Sequence, residues 1–268
     1  MAELNPIKLW HRILALPAES QTKTIAMAFV VSAVSALFVS IAAVSLQPLI
    51  NANKLAERQA KLDEMIANLP GLAEVLAQSN AETLDTVIVD LTTGLADDTL
   101  DAASFDMADI AADPATSTVL SDEQDIAGIK TRPNFAQIYV LKSGDALELV
   151  ILPVYAAGYQ SQINAYLALK GDLNTVAALV ITEQGETPGL GAKIAEPAWQ
   201  ALWPGKEIAD ADGTVRLAVV RGGAASTFEV DGITGATRTS SAVSAMIGFW
   251  MGPQGYAKVL FALRNGEV

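Results

Sequence analysis

From Thr24 to Leu46 the chain runs 23 residues without a charge. At about 1.5 Å per residue a helix of that length spans about 34 Å, enough to cross a bilayer with some tilt. The segment is longer than a typical signal-peptide core and follows a long leader, so a retained transmembrane helix is expected. Gln47-Pro48 is expected to kink or interrupt the helix. Leu55, Leu62, Ile66 and Leu69 then share one face of a charged helix ending near Leu69-Pro70. Val87 to Val89 reads as a short strand, and Asp97 to Asp113 as an insertion with helical pieces. After Pro133 strand character is sustained. Ala136 to Leu141 and Leu147 to Leu152 flank a turn at Ser143-Gly144-Asp145, and Ala165 to Leu169 and Val176 to Thr182 flank one at Gly171-Asp172, predicting two hairpins. A short amphipathic helix follows over Ile194 to Trp203. Strands over Val215 to Val220 and Thr227 to Val230 come next, and helices around Ser241 to Phe249 and Tyr256 to Arg264 close the chain. Hairpins mixed with helices, without a βαβ repeat, predict an α+β fold with a largely antiparallel sheet; no GxGxxG or Walker sequence supports a doubly wound alternative. The expected organisation is a tail over 1–23, a transmembrane helix over 24–46, a stalk and acidic insertion over 47–135, and the main domain over 136–268.

Composition narrows the chemistry. The chain has no Cys and one His, His11, which precedes the apolar segment. Disulfides, Cys-ligated clusters and zinc sites are excluded, and the large domain has no imidazole for a Ser-His-Asp triad, a metal or a general base. Hydrolase chemistry is left only Ser/Lys or carboxylate arrangements, with no recognisable spacing. Redox or group chemistry must come from a cofactor. The net charge of −13 argues against nucleic acid or anionic headgroups as partners. Fifteen acidic residues and no Lys or Arg occur from Asp63 to Asp125, a pattern expected of a solvated, weakly structured surface; nothing in it matches a calcium loop, so no metal site is assigned.

Basic residues flank the apolar segment evenly, with Lys8, Arg12 and Lys23 before it and Lys54, Arg58 and Lys61 after it, so they set no orientation. Within it Ala28, Ser32, Ala36 and Ser40 recur every four residues. Such a stripe lets a second helix approach closely, yet small residues are common in any membrane helix, and both readings stand. The segment holds no acidic residue that could serve as an ion site.

The candidate chemistry lies in Asp231 to Trp250, where a turn rich in glycine and hydroxyls runs into an apolar helix. Gly232 and Gly235 permit conformations closed to other residues, and Thr234, Thr237, Thr239 and Ser240 crowd oxygens at the helix start. Free N–H groups and the positive dipole end there favour a phosphate, which Thr237 could carry as an ester. The same residues also fit an ordinary N-cap before a core helix. A second stretch, Gly185 to Gly191 (GETPGLG), follows a predicted strand. Pro188, Gly189 and Gly191 permit a tight turn open to close approach, with Thr187 able to donate a hydrogen bond and Leu190 able to lie on a ring; alone, it also fits a plain hairpin turn.

Asp231, Thr234, Gly235, Ala236 and Thr237 resemble the Asp-x-x-Ser/Thr-Gly-Ala-Thr signature at which a flavin transferase attaches FMN to Thr through its phosphate. Glu186, Thr187, Gly189, Leu190 and Gly191 resemble the flavin-contacting loop of the same families. With the apolar segment and overall length, these residues make the chain similar to the C-subunit family of the bacterial sodium-translocating NADH:quinone reductases, over nearly the whole chain and most closely from about Ala136 onward. The chain departs from the family pattern at Gln184, where a His is usual, and at Tyr159-Gln160, where Leu-Trp is usual. The resemblance implies covalent FMN on Thr237, a short cytoplasmic tail, a single pass of the inner membrane and a periplasmic FMN-binding domain. It implies partner subunits in the membrane, with electrons passing from their iron–sulfur centre to a second flavin. Arg238 is free to pair with the flavin phosphate or to point to solvent. The corresponding subunit of the ferredoxin-linked (Rnf-type) complex shares the Thr signature, and a non-redox membrane-tethered scaffold would keep the anchor and use Thr237 as a cap.

Overall fold

A computed structural model describes residues 15, 17, 20–68, 85–102, 105–144 and 146–268, the side chains of 42 and 48–68 excepted. The chain divides after Ala60 into two compact units.

The N-terminal part is dominated by helix α1, Gln21–Asn68. Its stretch Gln21–Gln47 has a mean hydropathy of 2.4 and is long and apolar enough to cross a membrane by length and composition. Ile25, Phe29, Leu37, Phe38 and Val44 are all exposed on it, as expected of a helix whose apolar surface has no protein cover. The helix runs on through Gln47-Pro48, where an interruption is one expectation; a proline removes one backbone donor, and that loss alone does not end a helix of this length. Leu69 lies outside the described residues.

The second unit is built on a five-stranded sheet of β1 (Asp85–Asp90), β4 (Phe135–Ser143), β5 (Ala146–Ala157), β6 (Gln162–Lys170) and β7 (Val176–Glu183), ordered β1-β4-β5-β6-β7. Every neighbouring pair is antiparallel, as the hairpin pattern predicts, and the two hairpins join because β5 also pairs with β6 from Leu149↔Lys170 to Ala157↔Gln162. β1 pairs with β4 through Val87↔Ile138, so the sheet takes its edge strand from upstream of residue 136. Alternation along β4 explains the layering: Ala136, Ile138 and Val140 join the main core, whereas Tyr139 and Leu141 face a smaller cluster with Leu149, Ile151 and Tyr166.

Between β1 and β4 lie helix α2 (Met107–Ala112) and the antiparallel pair β2 (Ser117–Val119) and β3 (Thr131–Pro133). Several acidic side chains of the stretch expected to form a solvated, weakly structured surface close turns here. Asp106 accepts from Ala108 N–H at the start of α2, Asp90 from Thr92 N–H, Asp113 from Ala115 N–H, and Asp125 from the N–H groups of Ile129 and Lys130. Short carboxylates suit this role because they reach their own backbone two or three residues on.

The helix predicted over Ile194 to Trp203 is divided into a 3₁₀ turn, Gly191–Ala195, and one turn of α3, Pro197–Gln200. Pro197 forces Glu196 into an extended conformation (φ −74°, ψ 135°), which stops the first piece and starts the second. The strand predicted over Val215 to Val220 is shortened to β8, Ala218–Val220, since the N–H groups of Arg216 and Leu217 both turn to Ile208 O. β8 pairs in parallel with β9, Glu229–Asp231.

The closing helices α4 (Thr237–Met251) and α5 (Ala257–Asn265) fall where periodicity places them. On α4, Thr239, Ser240, Val243, Met246, Ile247 and Trp250 are buried, a 3.6-residue stripe that faces the sheet. Trp250 fixes the docking. Its indole N–H donates to Tyr155 O at 2.7 Å, and its ring lies 5.0, 5.3 and 5.4 Å from those of Tyr155, Phe249 and Tyr256. Tyr256 Oη donates to Pro153 O, also at 2.7 Å. This cluster holds α4 over β5, the strand whose end leads into the site.

Candidate functional site

Three loops meet the first turn of α4. The β5–β6 loop, 158–161, and the segment leaving β7, 184–191, emerge at the same sheet end, because Ala157 pairs with Gln162 and Asn164 with Glu183. The third is the β9–α4 turn, 232–236, which leads into the hydroxyl-bearing first turn of the helix.

Glu186 ties the first two loops to α4. Its side chain is only 4% exposed; Oε1 accepts from the N–H groups of Tyr159 at 2.8 Å and Gln160 at 3.0 Å, and Oε2 accepts from Thr239 Oγ1. A buried carboxylate is costly unless its lone pairs are filled, and here three donors from two other elements fill them. Gly191 sits against the same pair: a Cβ there would lie 2.5 Å from Thr239 Oγ1 and 2.9 Å from Glu186 Oε2. A glycine at 191 is therefore required by close approach. The turn itself is compact, with Leu190 and Ala192 N–H both donating to Thr187 O.

Thr237 and Thr239 lie two residues apart on α4 and so on opposite faces. Thr239 is 2% exposed and bound to Glu186, while Thr237 is exposed. The N-cap is Ala236, and no side chain caps the helix. Thr237 is the first helical residue, so the N-cap role open to it in the sequence is not the one it has. Its Oγ1 accepts a hydrogen bond from Arg221 Nη2 at 2.7 Å. An exposed hydroxyl beside an uncapped helix start and a guanidinium fits a phosphoryl ester in charge and in access.

The other expected residues fall as follows. Gly189 and Gly235 take positive φ, +75° and +82°, as turn positions without a side chain can. Leu190, 43% exposed, lies over Gly235, with its Cδ2 3.2 Å from where a Cβ would stand; the two signature stretches thus touch. Thr234 is exposed on the same turn and Ala236 is buried beneath it. Asp231 accepts from Ala224 N–H through its carboxylate, and its carbonyl accepts from Trp199 Nε1 at 2.8 Å. Thr187 is an acceptor here, from Gln160 Nε2 at 2.9 Å, where a donor role is expected.

Two features escape a reading of the sequence. Arg238 is exposed, and its guanidinium lies 5.2 Å from the centre of the Tyr159 ring, a contact neither expectation names. The cation on Thr237 is Arg221, 16 residues upstream, whose only sequence signal is its place before Gly222-Gly223 at the end of a predicted strand. At Gln184, the side chain accepts from Glu186 N–H at 2.6 Å and so orders the loop from its own strand end.

The FMN-binding domain family matches residues 158–252, a span that opens at the β5–β6 loop and closes at the end of α4. By fold and site the chain is thus a flavin-domain protein of the α+β class. Over nearly its full length it is similar to the C-subunit of the Na(+)-translocating NADH-quinone reductase of Pseudomonas aeruginosa, 40% identical over 93% of this chain and 98% of that protein. The Vibrio parahaemolyticus counterpart is 37% identical over 92% and 97%. Among solved structures, the crystal structure of Shewanella oneidensis NqrC superimposes with a TM-score of 0.67 at 30% identity, covering 77% of this chain and 99% of that one. The chain belongs to the NqrC family, the C-subunits of the Na(+)-translocating NADH-quinone reductases.

Proposed function

We propose that this chain is the electron-relay subunit of a sodium-pumping NADH:quinone oxidoreductase, with FMN esterified through its phosphate to Thr237. In this reading it takes electrons from an iron–sulfur centre of its membrane partners and passes them to a second flavin. The observation that carries it is the exposed Thr237 hydroxyl, presented at an uncapped helix start with Arg221 bound to it, inside the span matched by the FMN-binding domain family. Bound FMN supplies the one- and two-electron chemistry that a domain without Cys or His lacks. The chain's own residues position and enclose. Glu186 locks the Gly185–Gly191 turn to α4, and Leu190 offers an apolar surface beside Gly235. Thr234, Gly235 and Ala236 form the turn that brings Thr237 to the surface. The flavin-carrying part is the 136–268 region, its sheet completed by β1.

In the same reading α1 anchors the chain in the inner membrane with the large domain in the periplasm, a flavin transferase loads Thr237, and the other reductase subunits are its partners. Support for the anchor is the uncovered apolar stretch Gln21–Gln47. The test is sodium-stimulated quinone reduction by NADH in membranes of the host. Deleting this chain should abolish it and restoring the native chain should return it; a deletion strain with undiminished activity refutes the assignment.

A further inference from the structure

Two arginines stand near Thr237, and the structure separates their roles. Arg238, its neighbour in the chain, is engaged with the Tyr159 ring. Arg221 Nη2 is the group on Thr237 Oγ1. Its backbone position is fixed from several directions: β8 pairs with β9 in the register Val220↔Asp231, Gly232 N–H donates to Val220 O at 2.8 Å, and Val219 N–H donates to Ser244 Oγ on α4 at 2.8 Å. Beyond Arg221 the chain reverses through Gly222 and Gly223, at φ +93° and +102°, and the Asp231 carboxylate accepts from Ala224 N–H. The carboxylate of the Asp-x-x-Thr-Gly-Ala-Thr stretch therefore holds closed the turn that follows Arg221. Nothing in this arrangement buries Arg221, whose exposed guanidinium donates to the Thr237 hydroxyl.

We propose that Arg221 is the cation that holds the phosphoryl group on Thr237, with Asp231 positioning it through the 222–224 turn. The inference rests on the reading of Thr237 as the attachment residue. Attachment forms a bond from Thr237 Oγ1 to phosphorus, breaks the P–O bond to the leaving phosphate of an activated flavin nucleotide (a pyrophosphate), and releases the hydroxyl proton. No electrons change hands. The diester so formed carries one negative charge over two oxygens, within reach of the guanidinium that had bound the hydroxyl. A planar fork of donors matches two such oxygens, where an ammonium supplies charge without the fork.

The test uses the full chain in detergent, loaded by its transferase, in native form and as Arg221→Lys, Arg221→Gln and Arg238→Gln. Arg221 is exposed, so thermal melting of the unloaded Gln variant should match the native chain. The initial rate of flavin attachment should fall about tenfold in R221Q, ~1.4 kcal/mol at the barrier, with R221K between and R238Q unchanged. The phosphorus NMR resonance of loaded R221Q should move from its native position, and that of R238Q should not. Native attachment rate and native resonance in R221Q overturn the proposal, as does a shift of the resonance by R238Q instead. Slow attachment with an unchanged resonance assigns Arg221 to recognition by the transferase and also overturns it. A native chain carrying no flavin at all refutes the Thr237 reading itself, a result independent of the arginine variants.

Discussion

Removing the Glu186 carboxylate should do more damage than its single position suggests, because it is bonded to both the β5–β6 loop and α4. Glu186→Ala leaves the N–H groups of Tyr159 and Gln160 and the buried Thr239 hydroxyl without their acceptor. Each such loss costs about 1–3 kcal/mol where water cannot replace the bond. The two loop N–H groups are nearer the surface and fall at the low end, so a total of ~3–5 kcal/mol is expected. Glu186→Gln keeps the shape: its carbonyl can still serve the two N–H groups, and the Thr239 hydroxyl can rotate to accept from the amide. Only the charge assistance is lost, about 1–2 kcal/mol. For a domain of this size 1 kcal/mol shifts Tm by roughly 2–4 °C, so Gln should lower Tm by ~2–8 °C and Ala by ~6–20 °C. Urea unfolding of E186Q, Thr239→Val and the double variant then gives the coupling between the two residues. It should exceed about 0.5 kcal/mol, the limit within which independent sites add. Additive effects, or an E186A melt equal to native, would falsify the view that Glu186 binds the two motifs into one site.

Other consequences follow from the same geometry. Gly191→Ala drives a methyl to 2.5 Å from Thr239 Oγ1 and 2.9 Å from Glu186 Oε2; it should cost about 1–3 kcal/mol and lower flavin content, measured by melting and by absorbance of the purified chain. Trp250→Ala removes the ring that docks α4 on β5 and should cost ~3–5 kcal/mol by urea unfolding. Burial pushes the phenol of Tyr155 up, against the opposing pull of Arg132, and burial pushes that of Tyr256 well up. Both groups stay protonated in the fold after they ionise in the unfolded chain. Their stabilisation is therefore complete below the ordinary tyrosine pKa of about 10 and declines as pH rises beyond it, by up to ~2.7 kcal/mol per pH unit for two protons. Denaturant midpoints measured from pH 8 to 11 should show that decline, and Tyr256→Phe should reduce its slope by about half. Replacing Ser32 and Ala36 with Leu should prevent copurification with partner subunits if the small-residue stripe seats another helix; unchanged copurification removes that reading.

Much of the sheet was legible because its strands are long and alternate cleanly: Ala136, Ile138 and Val140 announce one face and Tyr139 the other. α4 was legible for the same reason at a different period. What escaped was decided by interactions remote in sequence. The parallel pairing of β8 with β9 depends on which carbonyls Arg216 and Leu217 reach, and three-residue strands carry no period of their own. Pro197 was visible, yet the predicted helix ran through it; the break comes from the extended conformation it imposes on Glu196. In the site, motif matching brought forward the residues of both stretches, and the fold brings those stretches together. It could not show that Glu186 faces Thr239, nor that the guanidinium on Thr237 comes from Arg221 rather than the adjacent Arg238, since both depend on which way α4 is turned against the sheet.

The most direct test of the central claim is in-gel flavin fluorescence after denaturing electrophoresis, with peptide mass spectrometry, on the full chain from its own membranes and on Thr237→Ala. The expected result is a fluorescent band that survives denaturation, a peptide spanning Thr237 heavier by the FMN moiety, and loss of both in the variant. A native chain without bound flavin, or a band that persists in Thr237→Ala, contradicts the claim.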